Sequence, residues 1–287
     1  MDKIIVVNKE KNYTSRDVVN ILSKEFNTKK IGHTGTLDPI ASGVLVICMG
    51  KSLKIVDLIT SYDKEYIAKV VLGIETDTLD ITGNIVNKKD VNVTKDMIDR
   101  VLKSFLGKSM QEVPKYSAVK VNGKKLYEYA RNNIDVELPK REIEVYDIEL
   151  LTDIEKQDNL TVFSFRVRVS KGTYIRSLIR DIGIKLNTCA CMKDLIRTKQ
   201  GKFNIEDSYT IDDIKNNNYE LFSVKDVLDI EKVKVSNEML FKVKNGQILD
   251  KFFNSNMALI LDDNYNEIAI YQVYEKDNTK VKPYKVF

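Results

Sequence analysis

Residues 30–45 read KIGHTGTLDPIASGVL, and the organisation of the chain is best understood from this segment outward. Its first part is polar and rich in glycine, which indicates a loop, whereas the apolar run at residues 44–49 predicts a buried strand that emerges from this loop. Gly43 stands at the junction. Together with Gly32 and Gly35 it lets the backbone turn sharply, and we expect these glycines to allow a close approach to a ligand.

An Asp-Pro pair lies in the middle of the predicted loop. Pro39 biases the backbone of Asp38 toward extended conformations and offers no amide proton that could cap the carboxylate. Asp38 could therefore present its carboxylate to a cleft. From the residues alone, a turn in which this side chain only caps the loop is the simpler interpretation.

Predicted strands and helices alternate irregularly along the main part of the chain. Thr14 and Asp17 have the spacing of a helix capping box, and apolar residues follow them at helical intervals. Further strands are predicted at residues 4–7, 63–73, 142–151 and 161–169, and further helices at residues 95–105 and 174–186. This order favours a mixed α+β fold over regular βαβ winding.

The character of the sequence changes near residues 216–218, which are three consecutive asparagines. Beyond residue 230 the helix signal fades, and short strand-like runs occur at residues 258–261 and 268–273. We therefore expect residues 231–287 to form a small β-rich unit that follows a main domain of residues 1–230.

The composition excludes several kinds of chemistry. The 287 residues include one histidine, His33, so a multi-histidine metal site cannot be built, and a serine or cysteine triad could use only this histidine. Cys48, Cys189 and Cys191 supply a single C-x-C pair, which fits neither a zinc cage nor a disulfide framework. We expect buried, reduced thiols and no metal site.

Two further motifs can be set aside. Residues 50–52 (Gly-Lys-Ser) end like a Walker A phosphate loop, but Leu45 occupies the position of its first glycine. Asp77 and Asp80 lack the surrounding spacing of a calcium loop, so we expect a hydrogen-bonded polar loop there.

The chain carries no sign of export or membrane insertion. Its first residues lack the apolar stretch and the small-residue cleavage site of a secretory signal. No segment approaches the ~20 consecutive apolar residues that cross a bilayer. We expect a cytoplasmic protein without a membrane partner.

The formal net charge of +4 conceals an uneven distribution. Residues 114–131 carry +4 and residues 164–202 carry +8, which leaves −8 for the rest of the chain. Both windows contain tyrosines, and basic residues interleaved with aromatic ones suit a phosphate backbone with unstacked bases. Two solvated basic faces would give the same pattern, so charge alone leaves both interpretations open.

Residues 30–45 closely resemble the active-site signature of the bacterial tRNA pseudouridine-55 synthases, the TruB family. Further blocks resemble this family in the same order, between about residue 3 and residue 210. They are Asp63-Lys64-Glu65-Tyr66, Thr76-Asp77-Thr78 with Asp80, Tyr116-Ser117-Ala118-Val119-Lys120 with Tyr127 and Arg131, Ser170-Lys171-Gly172-Thr173-Tyr174-Ile175-Arg176-Ser177, and Leu195-Ile196-Arg197-Thr198.

This resemblance implies the pseudouridine synthase fold: a mixed, largely antiparallel central sheet flanked by helices. It implies a catalytic domain at residues 1–230, with an RNA-contacting thumb near residues 114–140, and a small C-terminal PUA-like domain at residues 231–287. It also implies isomerisation of uridine-55 to pseudouridine in the T loop of tRNA, by base flipping and with neither cofactor nor metal. The expected partner is tRNA, and we expect a monomer with no obligatory protein partner.

The resemblance assigns three catalytic residues. The family's nucleophilic aspartate falls on Asp38, its active-site tyrosine on Tyr66, and the arginine that accompanies the aspartate on Arg176. A carboxylate nucleophile divides one difficult displacement into two easier steps, and a neighbouring arginine favours the charged carboxylate. Tyr66 would pack on the base and is a candidate for proton transfer.

Substrate contacts follow from the same resemblance. Tyr174 and Leu195 match positions that line the uracil pocket, and His33 matches the residue that is inserted where flipped nucleotides leave the stack. Further contacts with the RNA are expected from Lys30, Lys64, Lys120 and Arg131.

Two other functions fit parts of the sequence. An RNA-guided pseudouridine synthase of the archaeal and eukaryotic ribonucleoprotein type has a related core, but the thumb-like insertion and the absence of long terminal extensions favour the stand-alone tRNA enzyme. A non-catalytic RNA-binding or RNA-chaperone protein would not need Asp38, Tyr66 and Arg176 together. The sequence leaves open whether Asp38 attacks the base or the sugar.

Overall fold

The computed structural model describes residues 2–157 and 159–287, which form a mixed α+β structure. Its strands are β1 (Ile4–Lys9), β2 (Ile31–His33), β3 (Ser42–Met49), β4 (Lys64–Leu72), β5 (Ile74–Thr76), β6 (Ile85–Lys88), β7 (Gly107–Glu112), β8 (Lys120–Val121), β9 (Lys124–Lys125), β10 (Lys140–Leu150), β11 (Glu155–Gln157), β12 (Leu160–Val169), β13 (Ala190–Gln200), β14 (Phe203–Asn204), β15 (Glu231–Lys234), β16 (Leu249–Asp250), β17 (Met257–Leu261), β18 (Glu267–Tyr274) and β19 (Asp277–Val286).

The helices are mostly short. They are α1 (Ser15–Glu25), α2 (Val56–Ser61), α3 (Lys95–Lys103), α4 (Leu126–Arg131), α5 (Ile175–Lys185), α6 (Ile211–Lys215), α7 (Val224–Val227) and α8 (Asn237–Lys244), with 3-10 helices at Gly50–Ile55 and Ile205–Asp207. Among the described residues, no helix has both the length and the apolar character that a bilayer crossing requires.

A ten-stranded sheet forms the centre of the structure. Its main strand order is β1-β3-β13-β4-β12-β10-β7, with β2, β11 and β14 paired at its margins. Neighbouring strands are antiparallel, apart from β3 and β13, which run parallel where Gly43 lies opposite Arg197. The predicted α+β class and the largely antiparallel sheet are confirmed, as are the predicted strands that became β1, β3, β4, β10 and β12.

The sheet is covered on both faces. In β1, Ile5 and Val7 contact a core that includes residues of α1, α3 and α5, whereas Ile4 and Val6 contact a second core on the opposite face. The alternation of side chains along a strand produces these two faces. A strand that is buried on both sides is built from consecutive apolar residues, which explains the uninterrupted apolar run at its start.

Helix α1 begins where the sequence predicts it. The Thr14 hydroxyl accepts a hydrogen bond from the Asp17 amide at 3.0 Å, and the Asp17 carboxylate accepts one from the Thr14 amide at 2.8 Å, which confirms the capping box. Val18 and Leu22 are buried against the sheet. This packing places the first turn of α1 next to the loop between β2 and β3.

Gly43 lets β3 and β13 approach each other closely. Its φ is +101°, and a Cβ atom there would lie 2.3 Å from the carbonyl oxygen of Arg197, so any larger residue would clash with the backbone of the neighbouring strand. The close approach that the structure shows at Gly43 is to β13, and the approach to a ligand stays a prediction.

Residues 231–287 contain a second, five-stranded sheet in the order β15-β17-β18-β19-β16. The strands predicted at residues 258–261 and 268–273 are confirmed as β17 and β18. Helix α8 also lies within this part of the chain, where the sequence shows only a fading helix signal. Val243 is buried and Met239 and Leu240 pack beside it, but an apolar pattern confined to eight residues is too short to tell a helix from a strand.

The C-terminal sheet packs against the back of the large sheet. Leu259 and Leu261 belong to the same apolar cluster as Val6 and Val44. An ion pair of 3.0 Å between Lys285 Nζ and Asp57 Oδ2 adds a polar contact. The face of the large sheet that does not carry α1 and α5 is thus occupied by this sheet.

The three cysteines are buried and unpaired, as expected. Burial raises the pKa of Cys48 to about 12 and that of Cys191 to about 11. Neither thiol is a nucleophile at neutral pH, because thiolate is the reactive form.

Candidate active site

The loop that carries Asp38 is anchored by the first turn of α1. Ser15 Oγ accepts a hydrogen bond from the Leu37 amide at 2.8 Å and donates one to the Leu37 carbonyl oxygen at 3.1 Å. The Ala41 amide donates to the carbonyl oxygen of Asp38 at 3.0 Å and closes a turn around Pro39. The backbone on both sides of Asp38 is therefore fixed, while its side chain is 34% exposed.

Arg176 binds the Asp38 carboxylate through two nitrogen atoms. Nε lies 2.9 Å from Oδ2, and Nη2 lies 3.2 Å from Oδ1. Arg176 belongs to the first turn of α5, and its side chain is only 8% exposed. The planar guanidinium matches the two carboxylate oxygens, so it orients the carboxylate and places a permanent positive charge beside it.

The guanidinium of Arg176 is held by three further groups. Nη1 donates to the carbonyl oxygen of Thr78 at 2.9 Å, and Nη2 donates to the carbonyl oxygen of Tyr116 at 3.0 Å. The carboxylate of Asp80 lies 3.8 Å from Nη1. Asp80 belongs to the hydrogen-bonded polar loop expected from the sequence, because it also accepts a bond from the Thr82 amide at 3.0 Å.

Tyr66, Tyr174 and Leu195 line one cavity together with Asp38 and Arg176. The cavity measures about 420 Å³, a volume that suits a small organic ligand or a single nucleotide. Tyr66 lies on β4 and Leu195 on the adjacent strand β13. Tyr174 immediately precedes α5. The structure thus brings together all three predicted catalytic residues and both residues predicted to line a uracil pocket.

The backbone of Tyr174 is clamped by Gln111 of β7. The Gln111 side chain accepts a hydrogen bond from the Tyr174 amide at 2.8 Å and donates one to the Tyr174 carbonyl oxygen at 3.1 Å. Gln111 is itself buried. The start of α5, which carries Arg176, is thereby tied to the edge of the large sheet.

Lys64 lines the cavity, but its ammonium group is bound within the protein. Nζ donates to the carbonyl oxygens of Thr60 and Tyr62, each at 2.6 Å. Burial, reinforced by the charge of Arg197, lowers the pKa of Lys64 to about 8. In the free protein this lysine ties the start of β4 to the turn before it, and its predicted contact with RNA stays a prediction.

Arg197 and Lys9 are two buried cations that the sequence analysis did not single out as site residues. Arg197 lines the cavity and donates from Nη2 to the carbonyl oxygen of Gly35 at 3.1 Å. Lys9 donates to the carbonyl oxygen of Tyr13 at 2.7 Å, and burial lowers its pKa to about 8 although Asp38 acts in the opposite direction. Arg197 lies in the block Leu195-Ile196-Arg197-Thr198 that resembles the family, which could have marked it, whereas Lys9 stands at the polar end of a strand without such a signal.

The remaining predicted contacts lie outside the cavity wall. His33 ends β2, and burial lowers the pKa of its imidazole, so the ring is neutral at pH 7. Lys30 is exposed just before this strand. Lys120 and Arg131 are exposed at residues 114–140, where the Arg131 guanidinium lies 5.3 Å from the ring centre of Tyr127, itself a cavity residue.

Each of the five arginines in the basic window at residues 164–202 contacts groups of the protein. Arg176 and Arg197 are buried, whereas Arg168 is exposed, as are Lys171, Lys185, Lys199 and Lys202. The arginine contacts are Arg166 with Glu65, Asp147 and Glu149; Arg168 with Asp63; Arg176 with Asp38 and Asp80; Arg180 with Glu112 and Asp181; and Arg197 with the carbonyl oxygens of Gly35 and Val44. The formal charge of this window therefore overstates what is available to an RNA.

A second cavity of about 550 Å³ adjoins the first one at Tyr116. It lies between residues 75–79 and residues 114–138 and contains neither Asp38 nor Arg176. It contains none of the residues that the family resemblance marks as catalytic, so the smaller cavity is the candidate active site. Over residues 2–157 and 159–287, no group of three or more His, Cys, Asp and Glu side chains is arranged to hold a metal ion.

Comparison with known proteins assigns the chain to a family. The N-terminal domain of the TruB family pseudouridylate synthases matches residues 23–175, and the tRNA pseudouridylate synthase B C-terminal domain matches residues 176–230. The chain belongs to the TruB family. As a TruB-family pseudouridylate synthase it is an isomerase, and the resemblance of residues 30–45 to the signature of this family is confirmed.

Full-length relatives of the TruB family support this assignment. Proteins named tRNA pseudouridine synthase B from Staphylococcus aureus (strain MSSA476) and Staphylococcus saprophyticus are each 42% identical over 300 residues, which cover 99% of this chain and 98% of theirs. A solved structure of an H/ACA RNP bound to a substrate RNA containing 2'-deoxyuridine has a TM-score of 0.69 and 26% identity, covering 99% of this chain and 84% of its counterpart. The pseudouridine synthase fold expected from the sequence is thereby confirmed.

Proposed function

We propose that this TruB-family protein converts uridine-55 in the T loop of tRNA to pseudouridine, without a cofactor. Relatives that align over nearly the whole chain are named tRNA pseudouridine synthase B, which supports tRNA as the substrate. The observation that carries the chemistry is the two-point contact between Arg176 and Asp38 on the wall of a nucleotide-sized cavity.

Asp38 acts as the nucleophile in this proposal. The isomerisation breaks the bond from the uracil nitrogen N1 to the ribose carbon C1′ and forms a bond from the uracil carbon C5 to C1′. C5 loses a proton and N1 gains one, so the atoms of the nucleotide are conserved. A carboxylate that holds one fragment covalently lets the base rotate before it is reattached, and this holds whether Asp38 attacks the base or the sugar.

Tyr66 serves both the base and the proton transfer. It is 8% exposed and lines the cavity, so its ring offers a face on which uracil can stack and its hydroxyl is placed to relay the proton that C5 loses, giving up its own proton as it takes the other. Tyr174 and Leu195 complete the pocket on the sides formed by α5 and β13. These residues exclude water from the reacting atoms, which strengthens the electrostatic interaction between Arg176 and Asp38.

The target base must leave its stack before it can reach Asp38. Unstacking a base costs roughly a few kcal/mol, and every enzyme that flips a base must offset this cost. Phosphate contacts from the exposed Lys30, Lys120 and Arg131 can offset this cost, and they would make binding weaker as salt rises. His33 is neutral and close in sequence to Asp38, which suits insertion into the gap that the base leaves.

We also propose that the chain divides near residue 230. Residues 1–230 would form the catalytic domain, with residues 114–140 as its RNA-contacting thumb, and residues 231–287 would form a PUA-like domain. The β8–β9 hairpin and α4 within the thumb segment, and the five-stranded sheet that begins at Glu231, support this division.

An RNA-guided reaction is the second candidate function. It is favoured by the likeness to a chain of the H/ACA RNP, at a TM-score of 0.69. The relatives named tRNA pseudouridine synthase B are more similar in sequence, at 42% identity, and favour a stand-alone enzyme that needs no guide RNA or accessory protein.

Incubation of the purified protein with a bare, unmodified tRNA transcript tests this proposal. Pseudouridine is then mapped at nucleotide resolution. We expect one product at position 55 and none in a transcript that carries cytidine there. A product at other positions only, or activity that appears only after a guide RNA and accessory proteins are added, would refute it.

A further inference from the structure

Arg197 is a buried cation without an acidic partner. It is 1% exposed, and no carboxylate in the described part of the chain forms an ion pair with it. The one acidic residue in the described cavity wall is Asp38, and Arg176 already binds both of its carboxylate oxygens. Lys64 also belongs to this wall, which therefore contains three cations and one carboxylate. Buried charges are normally paired, so the wall carries positive charge that the protein does not neutralise.

The internal contacts of Arg197 do not require a charge. Its Nε donates to the carbonyl oxygen of Val44 at 2.6 Å, and its Nη2 donates to that of Gly35 at 3.1 Å. Gln200 lies further along the same strand and forms contacts of this kind with a neutral amide. Its Nε2 donates to Thr34 Oγ1 at 2.7 Å and to the carbonyl oxygen of Ile59 at 3.3 Å. A neutral side chain can thus tie β13 to its neighbours, and the charge of Arg197 needs another explanation.

One nitrogen atom of Arg197, Nη1, is available from the cavity. It donates to no group in residues 2–157 and 159–287, yet it is not one of the side-chain atoms that are both buried and unpaired, so it still contacts solvent. A Cβ atom at Gly35, which belongs to the same wall, would lie 3.5 Å from Nη1. Because glycine has no side chain, the approach to Nη1 over this residue is open.

The register of the sheet places Arg197 beside a residue of the proposed reaction. Arg197 on β13 is paired with Tyr66 on β4, and paired residues of neighbouring strands extend from the same face of a sheet. Both side chains line the cavity. A nucleotide whose base stacks on Tyr66 would therefore bring its backbone close to Arg197.

We propose that Arg197 binds a phosphate group of the RNA backbone: Nη1 contacts a phosphodiester that flanks the target nucleotide, in the space that a side chain at residue 35 would fill. A nucleotide in the cavity brings its flanking phosphates with it, and arginine is well suited to phosphate oxygens. The phosphate would supply the negative charge that the wall lacks. Arg197 meets RNA only inside the cavity, so it adds little to the attraction between the protein surface and tRNA. The inference rests on the proposed function, in which the cavity takes in the target nucleotide.

A methylphosphonate linkage tests this proposal, because it replaces one charged phosphate oxygen by a neutral methyl group. Two tRNAs are assembled from synthetic fragments, with the linkage on the 5′ side of the target uridine in one and on the 3′ side in the other. Each is compared with a tRNA that has an ordinary phosphodiester at the same place, and all carry a 2′-deoxy sugar before the linkage to prevent cleavage. We expect Kd to rise about 10- to 150-fold for one of the two linkages, the effect of losing a hydrogen bond between charged groups.

Arg197→Met should remove this sensitivity. The variant lacks the charge, so the ordinary and the methylphosphonate tRNA should bind it with Kd values within about 2-fold of each other, because both changes remove the same contact. Arg168→Met is the matched control. Arg168 pairs with Asp63 at 3.1 Å and does not line the cavity, so its variant should keep the full sensitivity to the methylphosphonate.

Gly35→Ala tests the site without removing the cation, and it remains informative even if Arg197→Met does not fold. The added methyl group would lie at an ordinary van der Waals distance from Nη1, so we expect the variant to unfold at the same urea concentration as the unmodified protein or at a higher one. The methyl group would occupy the space proposed for the phosphate. The Kd of this variant for ordinary tRNA should therefore rise toward the value that the unmodified protein has for the methylphosphonate tRNA.

Three results would overturn the phosphate site. They are equal Kd values for the ordinary and both methylphosphonate tRNAs, equal sensitivity in Arg197→Met and the unmodified protein, and an unchanged Kd in Gly35→Ala. The test of the proposed function is separate from these measurements. A protein that forms pseudouridine at position 55 but gives any of the three results keeps the proposed function and loses the phosphate site, whereas a protein that forms none there loses the proposed function on which this site rests.

Discussion

Arg176 contacts both carboxylate oxygens of Asp38, at 2.9 Å from Nε to Oδ2 and at 3.2 Å from Nη2 to Oδ1. The same guanidinium donates to the carbonyl oxygens of Thr78 and Tyr116. One side chain thus links the proposed nucleophile to the polar loop after β5 and to the base of the proposed thumb. The orientation of Asp38 depends on all of these elements.

The variant Arg176→Lys tests this dependence. A lysine has a single charged nitrogen and cannot contact both oxygens of Asp38 and the two carbonyl oxygens together. We expect kcat/KM on tRNA to fall by about 10- to 150-fold, because lysine keeps the charge but loses a charge-assisted hydrogen bond that orients the carboxylate, which is worth about 1.5–3 kcal/mol. Arg168→Lys is the control, because its 3.1 Å pair with Asp63 is largely exposed, and it should retain near-normal activity. Equal effects of the two substitutions would refute this account of Arg176.

Tyr66→Phe separates the two roles given to Tyr66. The variant keeps the ring face on which a base can stack but loses the phenol. If the phenol takes part in proton transfer, the single-turnover rate should fall by roughly 10²–10⁴-fold with little change in tRNA affinity. Tyr62→Phe is a nearby control outside the cavity and should keep its rate. A normal rate in Tyr66→Phe would leave stacking as the only role.

Gly43→Ala tests the close packing of β3 on β13. A Cβ atom at Gly43 would lie 2.3 Å from the Arg197 carbonyl oxygen, whereas Gly107, which also has positive φ, has nothing within 4 Å. We expect Gly107→Ala to lower the free energy of unfolding by about 1–2 kcal/mol through backbone strain alone. Gly43→Ala should lose about 1–3 kcal/mol more, because the added methyl group overpacks the strand pair. Urea unfolding measures both, and equal losses would contradict the packing argument.

The buried lysines predict how stability depends on pH. Burial is the main cause that lowers the pKa of Lys9 and of Lys64 from 10.5 to about 8 in the folded protein. Between pH 8 and pH 10.5 the unfolded chain binds more protons than the folded one, so these two groups make the folded state more stable as pH rises through that range. Below pH 8 both lysines are charged in the folded protein, so the full cost of burying their charges lowers the free energy of unfolding.

Lys64→Met removes one of these titrations. From pH 7 to pH 10.5, the free energy of unfolding of the unmodified protein should therefore rise relative to that of the variant, by roughly 2–3 kcal/mol. Urea unfolding of both proteins at several pH values measures this difference. A difference that is constant over the range would show that Lys64 titrates as it does in the unfolded chain.

Local features of this fold follow from the sequence, because neighbouring residues determine them. The capping box of Thr14 and Asp17 uses side chains three positions apart, and the apolar runs of β1 and β3 identify strands that are buried on both faces. Helix α8 is a local feature that the sequence did not predict. Its apolar face, made of Met239, Leu240 and Val243, spans only eight residues, and so short a pattern fits a strand as well as a helix.

The site itself depends on contacts between distant parts of the chain. Asp38 and Arg176 are 138 residues apart in the sequence. The family resemblance predicted that they act together, but nothing in the local sequence pattern did. The formal charge of residues 164–202 was a poor guide to the charge available to RNA, since Arg176 and Arg197 are buried and the other arginines of this window are ion-paired. A formal charge does not reveal whether a side chain faces solvent or an internal carbonyl oxygen. That distinction needs the fold.

The measurement that tests the central claim most directly is pseudouridine formation by Asp38→Asn, together with its affinity for the same unmodified tRNA. Asparagine keeps the size of the aspartate side chain and one oxygen for Arg176 but lacks the nucleophilic carboxylate. We predict no pseudouridine above background under single-turnover conditions, with a Kd close to that of the unmodified protein. Pseudouridine formation at a near-normal rate would contradict the assignment of Asp38 as the nucleophile.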